Sequence, residues 1–361
     1  MCDNERRIIT VPVGHGTEGN MKNTNIVFTS PCVAELVEKS VPEIKGDFDV
    51  RIKIMTTTVS AGTERANLVG DPNVRGRLAP DVSFPRQSGY SAGAVVDAIG
   101  KGVKSVKVGD RVAASWTKHA EYVVVNEKQV YRIPDDMTFS EAAMVHIATF
   151  PMGAIRKCKT EIGNSAIVMG LGLLGLVSVE LLRAAGAAPI IAVDPVPEKR
   201  ELALKLGADC ALDPFDADFV KTVKAITGGG AHVALEITGK GQGLDMVLDC
   251  MANFGRVALL GCTRSSDFNI DYYRKVHCPG INIVGAHTMA RPKTESSVNA
   301  WTERDDAEAI IRLISLGRLN LSRLVEETYT PKAAPAVYDR LAKNAAFPVV
   351  QFDWSGMGED E

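Results

Sequence analysis

The sequence has no C-x-x-C pair, no excess of basic charge and no apolar run long enough to cross a membrane. Each absence excludes something. Seven cysteines (Cys2, Cys32, Cys158, Cys210, Cys250, Cys262 and Cys278) lie scattered along 361 residues. An odd, dispersed set without paired spacing reads as reduced thiols in a cytosolic protein, packed as small apolar side chains. The 41 Lys and Arg against 44 Asp and Glu leave a formal charge of −3. That balance gives no electrostatic footprint for nucleic acid. The most apolar stretch, near residues 167–182, is broken by three glycines and Glu180 and is too short for a bilayer. The opening MCDNERRIITVPVG lacks the apolar core of a secretory signal, so a cytoplasmic location is expected. No internal repeat or low-complexity segment stands out.

What remains is an ordinary globular composition, 45% hydrophobic and 24% charged. At ~100–200 residues per domain, the length suggests two domains. The texture changes along the chain. Up to about Pro134 it is strand-like, with short valine-rich runs such as DRVAAS, HAEYVVV and QVYRIP separated by turns. Thr138, with Glu141 three residues later, then forms a capping-box start for a helix. From Asn164 strands and helices alternate. Strands are predicted at 166–169, 190–193, 233–237, 257–260 and 281–284, with a short one at 210–212. Helices are predicted at 173–183, 197–206, 219–226 and 244–251. Gly186 and Gly207 stand where helices should stop. This alternation predicts a doubly wound parallel sheet, an α/β architecture. After about Ala290 it lapses. Two more helices and a final strand in AFPVVQFDW hint that the chain returns to its first domain.

The stretch AIVMGLGLLGLVSVELLRAAG carries the clearest chemistry. Gly170-x-Gly172-x-x-Gly175 follows a strand and opens a helix. Gly170 would make the tight turn, Gly172 would admit a pyrophosphate to the backbone, and Gly175 would allow close helix–sheet packing. The helix start offers free N–H groups and partial positive charge. Asp194 follows the next strand, 24 positions after Gly170. That is near the ~20-residue spacing of an acidic residue that binds the adenosine ribose. A carboxylate there repels a 2′-phosphate, so NAD is the expected cofactor. Lys199 and Arg200 follow but are not adjacent to Asp194.

With these residues in view, the chain resembles the medium-chain dehydrogenase/reductase family. The likeness rests on VSAGTERANLVG (59–70), SGYSAGAVVDAIGKGVKSVKVGDRV (88–112), HAEYVVV (119–125), GLGLLG (170–175) and VDPVPEKRELALKLGA (193–208). It implies a GroES-like β-barrel catalytic domain over residues 1–150 and a Rossmann domain over 151–295. A segment from 296 to 361 would rejoin the first domain. It further implies that Leu173, Leu174, Lys199, Thr238, Gly261 and His287 face the dinucleotide, beside the glycine turn and Asp194. A homodimer or homotetramer is implied too, paired through the last strand of the Rossmann sheet.

Zinc-dependent members carry Cys-Gly-Thr/Ser-Asp and Gly-His-Glu stretches and a later Cys, Asp or Glu. Here those stretches read Ala61-Gly62-Thr63-Glu64 and Gly89-Tyr90-Ser91, and the third position falls near His146. The loop that holds the structural zinc, 113–119, has no cysteine. The resemblance therefore implies a branch with no metal, recognisable by S-x-G-T-E-R and G-Y-S-x-x-x-x-V. That branch includes relatives of bacteriochlorophyllide dehydrogenases and sugar or polyol oxidoreductases. Zinc would otherwise stabilise the alkoxide. A tyrosine hydroxyl can hydrogen-bond a substrate oxygen, and histidine is the natural base near neutral pH. His146, Tyr90 and Thr63 are thus the candidate catalytic set. Tyr273, Arg291 and Trp301 are candidates to bind a polar small-molecule substrate. Three activities stay open: an NAD-dependent dehydrogenase of a secondary alcohol, a zinc-free enone or quinone reductase, and a nucleotide-binding protein without turnover.

Overall fold

The computed structural model describes residues 22–74, 82–265, 268–344 and 346–357. Cys2 and the opening stretch lie outside them. The chain divides into two compact units. One takes the chain up to His146 and again from Val325, and the other is Ile147–Leu324.

Along the chain come β1 (Lys22–Ser30), β2 (Val33–Ser40), β3 (Asp49–Thr58), α1 (Ala61–Val69), β4 (Arg86–Gln87), β5 (Ser91–Ile99), β6 (Arg111–Ser115), β7 (Tyr122–Asn126) and β8 (Val130–Arg132). Helix α2 (Phe139–Lys157) follows. There follow β9 (Ala166–Met169), α3 (Leu173–Ala184), β10 (Ile190–Val193), α4 (Pro197–Leu206), β11 (Cys210–Leu212), α5 (Phe219–Thr227), β12 (Ala231–Glu236), α6 (Gly241–Asp249), β13 (Met251–Leu259) and β14 (Asn282–Gly285). The chain ends with α7 (Glu303–Ser315), β15 (Glu327–Tyr329), α8 (Ala334–Lys343) and β16 (Val350–Asp353).

The first unit is the GroES-like one. A three-stranded sheet, β2-β1-β4, accompanies a seven-stranded sheet ordered β15-β16-β3-β5-β6-β8, with β7 also paired to β3. Alternating apolar residues on β3 (Val50, Ile52 and Ile54) turn one face into the core. The C-terminal elements complete that core: Val337, Tyr338 and Leu341 of α8 pack in it with Phe352 and Trp354. The return of the chain is therefore part of this unit's stability.

The second unit carries a six-stranded sheet ordered β11-β10-β9-β12-β13-β14, every pair parallel. Strand order reverses between β9 and β12, which is the topological switch point where such sheets bind ligands at their carboxyl ends. Ile167, Met169, Ile191, Val193, Val247 and Val257 fill its core. Nearly continuous apolar strands are what a sheet buried on both faces requires.

Two expectations shift. The helix read at 244–251 lies at Gly241–Asp249, and the following strand starts at Met251 rather than at 257. Gly241 and Gly243 weigh against a helix by propensity. Yet each is needed for space: a Cβ on Gly241 would fall 2.0 Å from the Phe268 ring, and one on Gly243 would fall 2.4 Å from Thr238 Oγ1. The returning segment begins at Val325 rather than near 296, because α7 stays with the second unit. Its buried Asp306 takes the Arg156 Nε–H at 2.8 Å and lies 3.6 Å from Arg291 Nη1.

Candidate functional site

The glycine turn sits at the switch point. Gly170 adopts φ +98°, which favours glycine, and its N–H bonds the Val193 carbonyl at 2.8 Å. A Cβ at Gly175 would lie 2.0 Å from the Gly170 oxygen, so only glycine lets α3 come this close to the turn. A Cβ at Gly172 would meet nothing within 4 Å. The backbone at Gly172, the residue preceding α3, thus faces open space at the positive end of a helix, with half-buried Leu173 and Leu174 beside it.

Asp194 ties this turn to the second strand. It is 8% exposed; its Oδ2 accepts the Leu171 N–H at 2.8 Å and its Oδ1 the Val196 N–H at 2.9 Å. A carboxylate has about four acceptor directions, so two remain for ribose hydroxyls. Arg200 donates to the Asp194 carbonyl at 2.6 Å and to Asp213 at 3.3 Å, a role the sequence did not reveal. Lys199 is half-buried in the first turn of α4. Thr238 and Gly261 follow the ends of β12 and β13. The Thr238 N–H bonds Glu236 Oε1 at 2.8 Å, and the Gly261 N–H bonds the Glu236 carbonyl at 2.8 Å. Burial raises the Glu236 carboxyl, against the hydrogen bonds from Thr238 and Gly239. The open cradle, the helix start and the carboxylate at the next strand fit a nicotinamide dinucleotide.

His287, Arg291 and Trp301 come together, but as packing. With Phe150, Gly153 and Lys157 they line a small recess in the second unit. Arg291 gives Nη2–H to the Thr149 carbonyl at 3.0 Å and Nε–H to the Thr288 carbonyl at 2.9 Å, and it faces Asp306. Trp301 lies under the Arg156 guanidinium, 3.5 Å from its ring centre. Arg291 and Trp301 thus both make internal contacts, Arg291 with the Thr149 and Thr288 carbonyls and Trp301 with the Arg156 guanidinium. Partial burial, then the charges of Arg264 and Lys157, hold the His287 imidazole below its usual pKa. Tyr273 does not join them; it is exposed in a single π-helical turn and stacks on His277.

The first unit gathers the other candidates. Gly93 lets β5 touch the start of α2, where a Cβ would fall 2.3 Å from the Phe139 oxygen. The Ser91 hydroxyl then bonds the Ala143 carbonyl at 2.6 Å. This seats Tyr90 beside His146. The buried His146 ring (1% exposed) is met edge-on by Tyr90 at 5.7 Å and by Trp116 at 4.7 Å between centres. Trp116 is held at φ +55°, uncommon for a bulky residue. Tyr90 donates a hydrogen bond to Ser60 Oγ, and Ser60 is the N-cap of α1. Thr63 lies in the first turn of the same helix, half-buried.

Sequence reasoning missed Ser60, Trp116 and a buried network behind them. Glu64, fully buried, accepts the Ser60 N–H at 2.8 Å, His119 Nε2 at 3.1 Å and the Tyr338 hydroxyl at 2.5 Å. His119 Nδ1 lies 2.7 Å from Thr57 Oγ1, which also accepts Trp354 Nε1–H at 2.9 Å. Burial, then the Glu64 charge, raise the Tyr338 phenol well above its usual value and keep it a donor. The S-x-x-x-E spacing of SAGTE was the available signal, a carboxylate one helical turn beyond an N-cap.

The chain is similar to known dehydrogenases over most of its length. A family model described as Zinc-binding dehydrogenase matches residues 174–304. An L-threonine 3-dehydrogenase from Caldanaerobacter subterraneus subsp. tengcongensis is 30% identical over 287 residues, 70% of this chain and 79% of the relative. The chain belongs to the medium-chain dehydrogenase/reductase family. It is an oxidoreductase of that type. A D-guloside 3-dehydrogenase from Escherichia coli is 27% identical over 243 residues, 66% of this chain and 69% of the relative. Two solved structures share the fold: one described as a short chain alcohol dehydrogenase, from Escherichia coli CFT073, complexed with NADH (TM-score 0.77, 18% identity, 93% and 100% of the two chains), and one described as a putative zinc-binding dehydrogenase, from Sinorhizobium meliloti 1021, bound to NADP (TM-score 0.76, 21%, 92% and 99%).

The metal that the family model's description implies does not suit the residues present. Ala61 has no donor atom, and Tyr90 is engaged with Ser60. Among the described residues, no three His, Cys, Asp or Glu side chains converge as ligands. A catalytic zinc takes three protein ligands, so no step is routed through one. Also among the described residues, no helix is long and apolar enough to cross a membrane.

Proposed function

We propose that the protein is a zinc-independent, NAD(H)-dependent oxidoreductase that moves a hydride between nicotinamide and a secondary alcohol or its ketone, the substrate being a polyol, sugar or cyclitol. One observation carries the reading. The Tyr90–Ser60 hydroxyl pair lies against buried His146, and the family resemblance implies that Tyr90 and His146 stand where zinc-dependent members keep metal ligands. Relatives named for threonine and guloside, both hydroxylated small molecules, support the substrate class. Asp194 supports NAD over NADP.

When bound, NAD supplies the hydride acceptor. The chain's own residues handle the oxygen and the proton. The Tyr90 phenol oxygen accepts a hydrogen bond from the substrate hydroxyl, while its own single proton is given to Ser60. Ser60 accepts from Tyr90 and keeps its own proton free to donate. As the carbinol C–H leaves as hydride, the hydroxyl proton passes through this pair, with Thr63 alongside, to the His146 imidazole. In the reverse direction His146 returns it to the ketone oxygen. General acid–base help of this kind is worth ~10²–10⁴-fold.

The test follows nicotinamide absorbance with chelator-treated protein, offering NAD with polyols, sugars and cyclitols, and NADH with enones and quinones. Alcohol-dependent NAD reduction unaffected by chelator is the expected result. Turnover with enones alone would assign the protein to double-bond reduction and sink this reading.

A further inference from the structure

A serine at an N-cap normally spends its hydroxyl on the helix, accepting an N–H from the first turn. Ser60 does not: it makes no side-chain cap hydrogen bond. Its hydroxyl is turned to Tyr90 instead. The helix start is served in another way. Glu64, one turn further on, reaches back and accepts the Ser60 N–H at 2.8 Å. The reach-back is like the reciprocal half of a capping box, but from N4 rather than N3 and without the serine half.

Glu64 is itself fixed by two further side chains. His119 lies 3.1 and 3.2 Å from its two oxygens, and Tyr338 donates to Oε2. The donors and acceptors close consistently with the His119 proton on Nε2. Trp354 Nε1–H gives to Thr57 Oγ1, the Thr57 hydroxyl gives to His119 Nδ1, and His119 Nε2–H gives to Glu64. All these side chains are fully buried, at 0% exposure. A fully satisfied buried network of this kind has one geometry.

We propose that Glu64 is a positioning residue: by taking the Ser60 N–H into the buried His119–Tyr338 network, it holds the Ser60 hydroxyl on Tyr90. This deepens the proposed function and rests on the reading that Tyr90 serves the substrate oxygen. Without Glu64, Ser60 reverts to capping α1, and Tyr90 loses the hydrogen bond to the Ser60 hydroxyl.

The test labels the protein with ¹³Cζ-tyrosine and reads the Tyr90 resonance and its pH titration in the full chain, without substrate or cofactor. Tyr90→Phe assigns the signal among the 7 tyrosines, and Ser60→Ala defines its position when the bond is lost. Glu64→Ala is expected to move the resonance to the Ser60→Ala position. Glu64→Gln, which keeps an acceptor for the Ser60 N–H, is expected to leave it in place. If Glu64→Ala does not fold, Glu64→Asp reads the same point, because its shorter carboxylate stops short of Ser60. A resonance unmoved in the folded Ala or Asp variant, or moved as far in Glu64→Gln, overturns the proposal. A merely structural glutamate would lower the melting temperature and leave Tyr90 alone. Where alcohol turnover is present, Glu64→Ala is expected to lower kcat roughly 10- to 100-fold, as misplaced reacting groups do, with Gln restoring it. Absence of alcohol turnover would fail the functional reading and leave the Tyr90 result standing.

Discussion

Gly172 and Gly175 stand three residues apart in one motif, yet alanine at each should fail in opposite ways. At Gly175 a Cβ would lie 2.0 Å from the Gly170 carbonyl oxygen. The obstacle is backbone, so the helix must slide away from the sheet. Overpacking of this kind costs ~1–3 kcal/mol, and the depth of this clash puts it at the upper end. For a unit the size of Ile147–Leu324, ~3 kcal/mol lowers Tm by roughly 6–12 °C. At Gly172 the backbone is ordinary (φ −71°, ψ −172°) and a Cβ meets nothing. Gly172→Ala should therefore be neutral or gain ~0.4–1 kcal/mol through the unfolded chain. Its methyl group instead occupies the space left for a pyrophosphate. Pushing that group off the backbone removes one or two charge-assisted hydrogen bonds of ~1.5–3 kcal/mol each. NADH affinity should fall by at least 10-fold. Calorimetric melting and NADH titration of the two variants decide it. A wild-type Tm for Gly175→Ala, or undiminished NADH binding by Gly172→Ala, would refute the assignment of the cradle.

Four further outcomes are expected. The Asp194 carboxylate and a 2′-phosphate charge ~5 Å apart repel by ~3 kcal/mol at an effective dielectric of ~20. Asp194→Ala should then cut the NAD/NADP ratio of kcat/KM by roughly 100-fold, and an unchanged ratio would remove Asp194 from cofactor choice. His146→Ala and Tyr90→Phe should each lower kcat by ~10²-fold or more while NADH still binds, and full activity in both would dismiss the proposed proton route. Asp306→Ala strips Arg156 and Arg291 of their buried partner, which by analogy with broken buried pairs costs ~3–5 kcal/mol, so a Tm loss below a few degrees would show the network to be dispensable. Burial raises the Glu180 carboxyl above its ordinary 4.5. Ionising it in the folded state therefore costs stability as pH rises through the raised value, and costs nothing below the unfolded one. Glu180→Gln should match or exceed wild type in denaturant melts at pH 8, with the gap closing toward pH 4, and a gap that widens on acidification would contradict this.

The parts of the site legible in the sequence are those whose chemistry is local. A glycine forced to φ +98° beside another that cannot bear a methyl group writes itself into six consecutive positions, and Asp194 follows at the end of the next strand. The first unit is different. Tyr338 meets Glu64 across 274 positions and His119 meets it across 55, so no window of the sequence contains the pair. The internal contacts of Arg291 and Trp301 were hidden in the same way. A cation and an aromatic in a polar stretch read as substrate contacts, and nothing in that stretch announces that Asp306 is buried against the arginine. The family resemblance already implied that Tyr90 stands where zinc-dependent members keep a histidine. That its hydroxyl has a partner in Ser60 was not, because an N-cap serine ordinarily turns to its own helix. The Glu64 reach-back is what frees Ser60 for Tyr90, and that exchange becomes visible only when the helix start and the buried carboxylate are seen together.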